Sequence, residues 1–172
     1  MLYRKQLIAI AGAVPAMAAF GLIWLYAPQL LAFVRLPADT TADRLAFAAH
    51  WLIVPGMMLL AGVMGASRRG FYAEAIEGTR TPANWSLEVN LRYNQNTVEQ
   101  LLLAAIAWVA LAVALPRESL IAIPASAILF GVGRVTFWIG YAAHPLARSF
   151  GMTLTALPTI AAYLWLIARH LG

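Results

Sequence analysis

The stretch Leu91–Val113, "LRYNQNTVEQLLLAAIAWVALAV", joins two halves of opposite character. From Leu101 onward it is soluble in hydrocarbon, yet the residues leading in include Arg92, Asn96, Glu99 and Gln100. On a helix turning about 100° per residue, Asn96 and Glu99 stand at about 40° and about 340° from Arg92, so the three stack on one face over two turns. Gln100 lies beside them at about 80°. This polar face enters the membrane at one end of a helix whose remainder is apolar. A carboxylate there is costly unless paired or wetted, so Glu99 is expected to face other helices or a polar cavity. One reading is structural, with Arg92 or an arginine of another helix neutralising Glu99. The other is a binding site.

Composition extends the membrane reading to the whole chain. Of 172 residues, 62% are hydrophobic and 11% charged, which is outside the range of an ordinary soluble domain and predicts an all-α integral membrane helix bundle. There is no cysteine, so neither a disulfide framework nor a Cys-ligated metal is possible. The net charge of +5 is spread singly between apolar segments instead of forming a basic patch, which argues against a nucleic-acid partner. The histidines His50, His144 and His170 lack the spacing of metal ligands, so no metal is expected.

A crossing helix needs roughly 20 apolar residues. Leu7–Val34, Leu45–Ala66, Thr97–Leu115, Leu120–Tyr141 and Phe150–Ala168 qualify, within a single membrane domain over residues 1–172. The first begins like a secretory signal, with Arg4 and Lys5 before an apolar run, but continues to Val34, so it is read as a retained helix with a kink at Pro15. Short connections at Pro37, Pro116 and Pro145 predict antiparallel neighbours. Residues 67–90 are expected to form a long polar connection. With five crossings, Arg4, Lys5, Arg68, Arg69, Arg80, Arg92 and Arg148 fall on one side, against Arg35, Arg44, Arg117 and Arg169 on the other. The positive-inside tendency then places the N-terminus and the long connection in the cytoplasm and the C-terminus outside.

A second polar group lies in "GVGRVTFWIGYAAHPLARSFGM", Gly131–Met152. Arg134 and Tyr141 are seven residues apart on one face, and Arg134 is within snorkelling distance of the interface where Arg92 and Glu99 sit. Arg148 follows before the last helix. Taken singly these arginines read as helix-end anchors. Together the residues suit a small anionic ligand: arginines for carboxylates, Glu and Asn for an ammonium or amide, and Tyr for a hydroxyl bond.

The segment "RYNQNTVEQLLL", with Arg92, Asn96 and Glu99, resembles the signature of the membrane-associated proteins in eicosanoid and glutathione metabolism, the MAPEG superfamily, which includes microsomal glutathione transferases. "GRVTFWIGYAAHPLARSFGMTL" is similar to that family's later segment, and the likeness covers about residues 45–172, leaving the helix at about 7–34 as an addition to a four-helix core. The resemblance implies a homotrimer that binds glutathione between protomers near the cytoplasmic face. Arg92, Asn96 and Glu99 would hold its charged and polar groups, with Arg134 and Tyr141 adding contacts. Arg148 would be the catalytic arginine that stabilises the thiolate. Gln100 and Phe137 stand where some members carry tyrosine, which removes two hydroxyl contacts.

The implied activity is that of a bacterial-type glutathione transferase or peroxidase of the inner (cell) membrane, detoxifying lipophilic electrophiles or hydroperoxides that arrive through the bilayer. Two other classes fit the same residues. One is a non-catalytic lipid-binding or scaffold protein on this fold. The other is a small transporter lined by Arg134 and Glu99, against which the lack of an inverted repeat counts. His50 reads as a helix-packing residue in preference to a proton relay, and Gly62–Gly65 as a point of close helix approach.

Overall fold

The computed structural model describes residues 2–73, 75–77 and 84–171. Arg80, counted above toward the inner side, lies outside them, as do the side chains of Arg4 and Lys5. Among the described residues six α-helices follow in order: α1 (Leu2–Leu30), α2 (Thr41–Trp51), α3 (Ile53–Ser67), α4 (Trp85–Ala114), α5 (Ala122–Ala143) and α6 (Ser149–Leu171). With α2 and α3 forming one crossing, five spans are long and apolar enough for a bilayer, and the chain is an integral membrane protein.

The second span departs from the single helix expected over Leu45–Ala66, because it is interrupted at Leu52. Pro55 has no N–H to offer the Trp51 carbonyl, so the helical ladder breaks one turn before it. The Leu52 N–H is shared between the Ala48 and Ala49 carbonyls at 3.2 Å each, and the Gly56 N–H restarts the ladder on Leu52 O at 3.0 Å. In α1, by contrast, the helix runs through Pro15 without interruption.

The fourth helix starts earlier than its hydropathy predicts. Asn84 caps it by accepting the Leu87 N–H at 3.2 Å, so residues 85–90 are helix and not part of the polar connection. This added length places Leu87, Val89 and Asn90 inside the bundle. At the far end Arg44 donates to the Ala112 and Leu115 carbonyls at 3.2 and 2.9 Å and pairs with Asp39 at 2.7 Å. A cation there satisfies terminal carbonyls and complements the helix dipole.

Helix α5 lies at the centre and has the most buried span. It meets α6 backbone to backbone, since a Cβ on Gly151 would collide with Phe137 N and Gly133 O. Across α3 and α4 the expected close approach is present: a Cβ on Gly62 would press on the Tyr93 ring, and one on Gly65 on the Asn90 amide. His50 is exposed and meets Trp51 edge-on. The additional helix α1 docks along α6 and α5, with Ala16 fully buried beside Leu129 and Leu154, and Ala27 and Leu31 beside Ala125.

Candidate functional site

The polar residues of α4 emerge at the end of the bundle where α5 finishes and α6 begins. Arg92, Asn96 and Glu99 share one face, as their spacing predicts, and line a cavity of about 250 Å³ together with Gln95, Phe137, Met152 and Arg148. Four of the six residues singled out from sequence therefore meet in one place. The other two, Arg134 and Tyr141, are not among its lining residues; each stands behind a residue that is.

Arg134 does not snorkel to the interface. It is 0% exposed and held between two helices, with Nη1 donating to Asn96 Oδ1 at 2.7 Å and Nε donating to Thr155 Oγ1 at 3.1 Å. Thr155 in turn donates to Gly151 O at 2.8 Å. The guanidinium carbon lies 4.6 Å from the Phe137 ring centroid. This burial is possible because Gly133 and Gly151 bring α5 and α6 close enough for Thr155 to reach the arginine. Among the described residues Arg134 Nη2 is buried without a hydrogen-bond partner. Tyr141 is also buried, and the Arg148 guanidinium lies 4.7 Å from the centre of its ring. Tyr141 thus backs Arg148 with its aromatic face, a cation–π arrangement.

The structural ion pair considered for Glu99 takes a different form. Arg92 approaches Glu88 at 3.9 Å, one turn earlier on the same helix, while Glu99 accepts from Gln95 Nε2 at 3.3 Å. Arg92, Glu99 and Arg148 are exposed. Supporting residues that spacing did not reveal lie one layer deeper. Trp138 donates to Asn90 Oδ1 at 3.0 Å, Asn90 donates to Gly65 O at 3.1 Å, and the Tyr93 hydroxyl donates to Met58 O at 3.1 Å. Tyr93 and Trp138 stack with ring centres 4.6 Å apart. The close approach expected at Gly62–Gly65 is the one signal in the sequence for this tie among α3, α4 and α5.

The order of spans and the polar end of α4 agree with the family comparison, in which the model described as the MAPEG family matches residues 45–168. The chain belongs to the MAPEG family. All of the cavity-lining residues lie inside the matched region, whereas α1 lies before it. This MAPEG chain is also similar to Transmembrane protein 79 of Mus musculus, at 24% identity over 94% of this chain and 41% of that protein. Transmembrane protein 79 of Bos taurus is 25% identical over 89% of this chain and 40% of its own length. The chain thus spans about two fifths of the curated relatives it matches. No solved structure matches.

Proposed function

We propose that this MAPEG protein is a membrane-bound glutathione transferase with associated peroxidase activity. The observation that carries this reading is the convergence of Arg92, Asn96 and Glu99 from α4 with Arg148, just before α6, around one cavity. Arg92 is suited to a carboxylate of the tripeptide, Glu99 to its ammonium and Asn96 to an amide. Arg134 holds Asn96 in place from behind the cavity.

Arg148 is the thiol-activating group in this reading. A guanidinium next to a thiol favours the thiolate, and a lipid-flanked site with little water strengthens the attraction. The thiolate sulfur forms a bond to an electrophilic carbon, and the leaving group departs with the bonding pair. With a hydroperoxide, sulfur takes the distal oxygen as the O–O bond breaks and an alcohol is released. A second glutathione then reduces the resulting sulfenic acid, giving the disulfide and water.

The site is completed in a homotrimer. Arg92, Gln95, Glu99, Leu102, Ile106, Val109 and Val113 are all exposed and alternate at three- and four-residue steps, the repeat of a left-handed helix seam. The polar members of that seam are costly against lipid and favour a neighbouring protomer. The cavity is assigned to the cytoplasmic side of a bacterial inner membrane, where the positive-inside count puts it and where reduced glutathione is available.

Glutathione titration of the purified protein, reading heat of binding and ultraviolet thiolate absorbance together, tests the assignment. Saturable binding with thiolate formation in the wild type, and binding without thiolate in Arg148→Ala, is the expected pair. A second reading, a non-catalytic lipid-binding or scaffold protein, draws on the Arg134–Asn96–Thr155 tie, which joins three helices through side chains alone. Binding without thiolate in the wild type selects that reading, and absence of binding refutes the glutathione site.

A further inference from the structure

Arg148 and Met152 have a second side. The same two residues line a separate cavity of about 370 Å³, whose opposite wall is Ala9, Ile10 and Ala13 of α1. Its volume falls in the range of small-molecule sites, roughly 300–1,000 Å³. The space arises from the packing of α1. Gly12 lets that helix approach Ser149 and the Phe150 backbone, while Ala9 and Ala13, one turn apart on the same face, leave room beside the contact. One turn farther on, Ala16 is fully buried in a cluster with Leu129 and Leu154 and closes the seam toward the middle of the bundle.

We propose that this cavity is the acceptor subsite, and that it takes a single acyl chain of a membrane-dissolved lipid whose oxygen-bearing end accepts a hydrogen bond from Arg148. This rests on the glutathione reading above, because it places the two substrates on opposite sides of one Arg148–Met152 wall. Three features define the occupant. The cavity opens at the end of two membrane-spanning helices, with Ala9, Ile10 and Ala13 of α1 and Met152 and Thr153 of α6 inside the spans and Arg148 just outside them. Its α1 wall is wholly apolar, and the cation is at the edge shared with the polar cavity. A guanidinium presents hydrogen-bond donors and no acceptor, so it selects a carbonyl, carboxylate or hydroperoxide end over an ammonium headgroup. The α1 wall lies outside the family-matched residues 45–168, so one wall of the subsite comes from a helix that the family core does not supply, while Arg148 and Met152 come from that core.

The test uses the full chain in phosphatidylcholine nanodiscs and a long-chain fatty acid bearing a mid-chain diazirine. After irradiation, labelled positions are mapped by mass spectrometry, with unlabelled fatty acid as competitor. Saturable labelling confined to residues 9–13 and 146–153 is expected. Ala13→Trp, which fills the space, lowers it about tenfold. Thr153→Leu narrows the cavity from the other wall and serves where the tryptophan variant does not fold. Both leave glutathione binding by calorimetry at the wild-type level. Non-saturable labelling spread over the lipid-facing sides of α3 and α4, or labelling that neither variant reduces, overturns the subsite. Saturable labelling in a protein that binds no glutathione retains the acyl site and removes the thiol reading. Glutathione binding without such labelling does the reverse.

Discussion

Arg134 on α5 donates to Asn96 Oδ1 on α4 at 2.7 Å, so the amide that faces the cavity is positioned by a residue that does not line it. Tyr141 stands in a comparable relation to Arg148, through its ring. The site therefore has exposed residues suited to a ligand and buried residues that position them, and substitutions in the two layers have different consequences.

Replacing Arg134 with Ala removes charged hydrogen bonds to Asn96 and Thr155 and should cost about 2–3 kcal/mol of stability, together with weaker glutathione binding. Thermal unfolding in detergent, followed alongside calorimetric titration, measures both. Unchanged melting would show that the tie among α4, α5 and α6 contributes nothing.

Asn96→Ala and Glu99→Ala should each weaken glutathione binding about tenfold or more, equivalent to about 1.4 kcal/mol. The exposed Glu99→Ala should leave the melting temperature near wild type, whereas Asn96→Ala also removes the acceptor of the 2.7 Å bond from buried Arg134 and should lower it. Arg148→Ala should retain most of the binding and lose the thiolate absorbance. Equal affinity in all three variants and the wild type would refute this division of roles.

Gly151→Ala places a Cβ against the backbone of Phe137 and Gly133, so α5 and α6 must separate. A loss of about 1–3 kcal/mol is expected from such overpacking. Gly56→Ala is the control, since nothing lies within 4 Å of its added Cβ, and it should be neutral or slightly stabilising. Equal melting of the two variants would contradict the close contact.

At the opposite end of the bundle, Arg44→Ala frees the Ala112 and Leu115 carbonyls and should cost about 1–2 kcal/mol without altering glutathione affinity. A changed affinity would mean that the two ends of α4 are coupled.

Because the natural chain has no cysteine, a single introduced one reports self-association cleanly. Ile106→Cys, on the proposed α4 seam, should form an intermolecular disulfide on mild oxidation in membranes. Ile139→Cys on the outer face of α5 should not. Cross-linking at residue 139 with none at 106 would move the interface away from α4.

The number of crossings, the polar face of Arg92, Asn96 and Glu99, and family membership were legible in the sequence, because they depend on apolar length, helical periodicity and local motif. Periodicity could not say which way α5 faces. In a membrane segment lipid-facing and interior positions are equally apolar, so hydrophobicity leaves helix rotation undetermined. That rotation was decided by the Gly133–Gly151 contact and the bonds of Arg134 to Asn96 and Thr155. They turned a presumed interface anchor into a fully buried tie. The docking of α1 against α6 was likewise a tertiary outcome, since it depends on Gly12 meeting Ser149 and Phe150, partners distant in the chain.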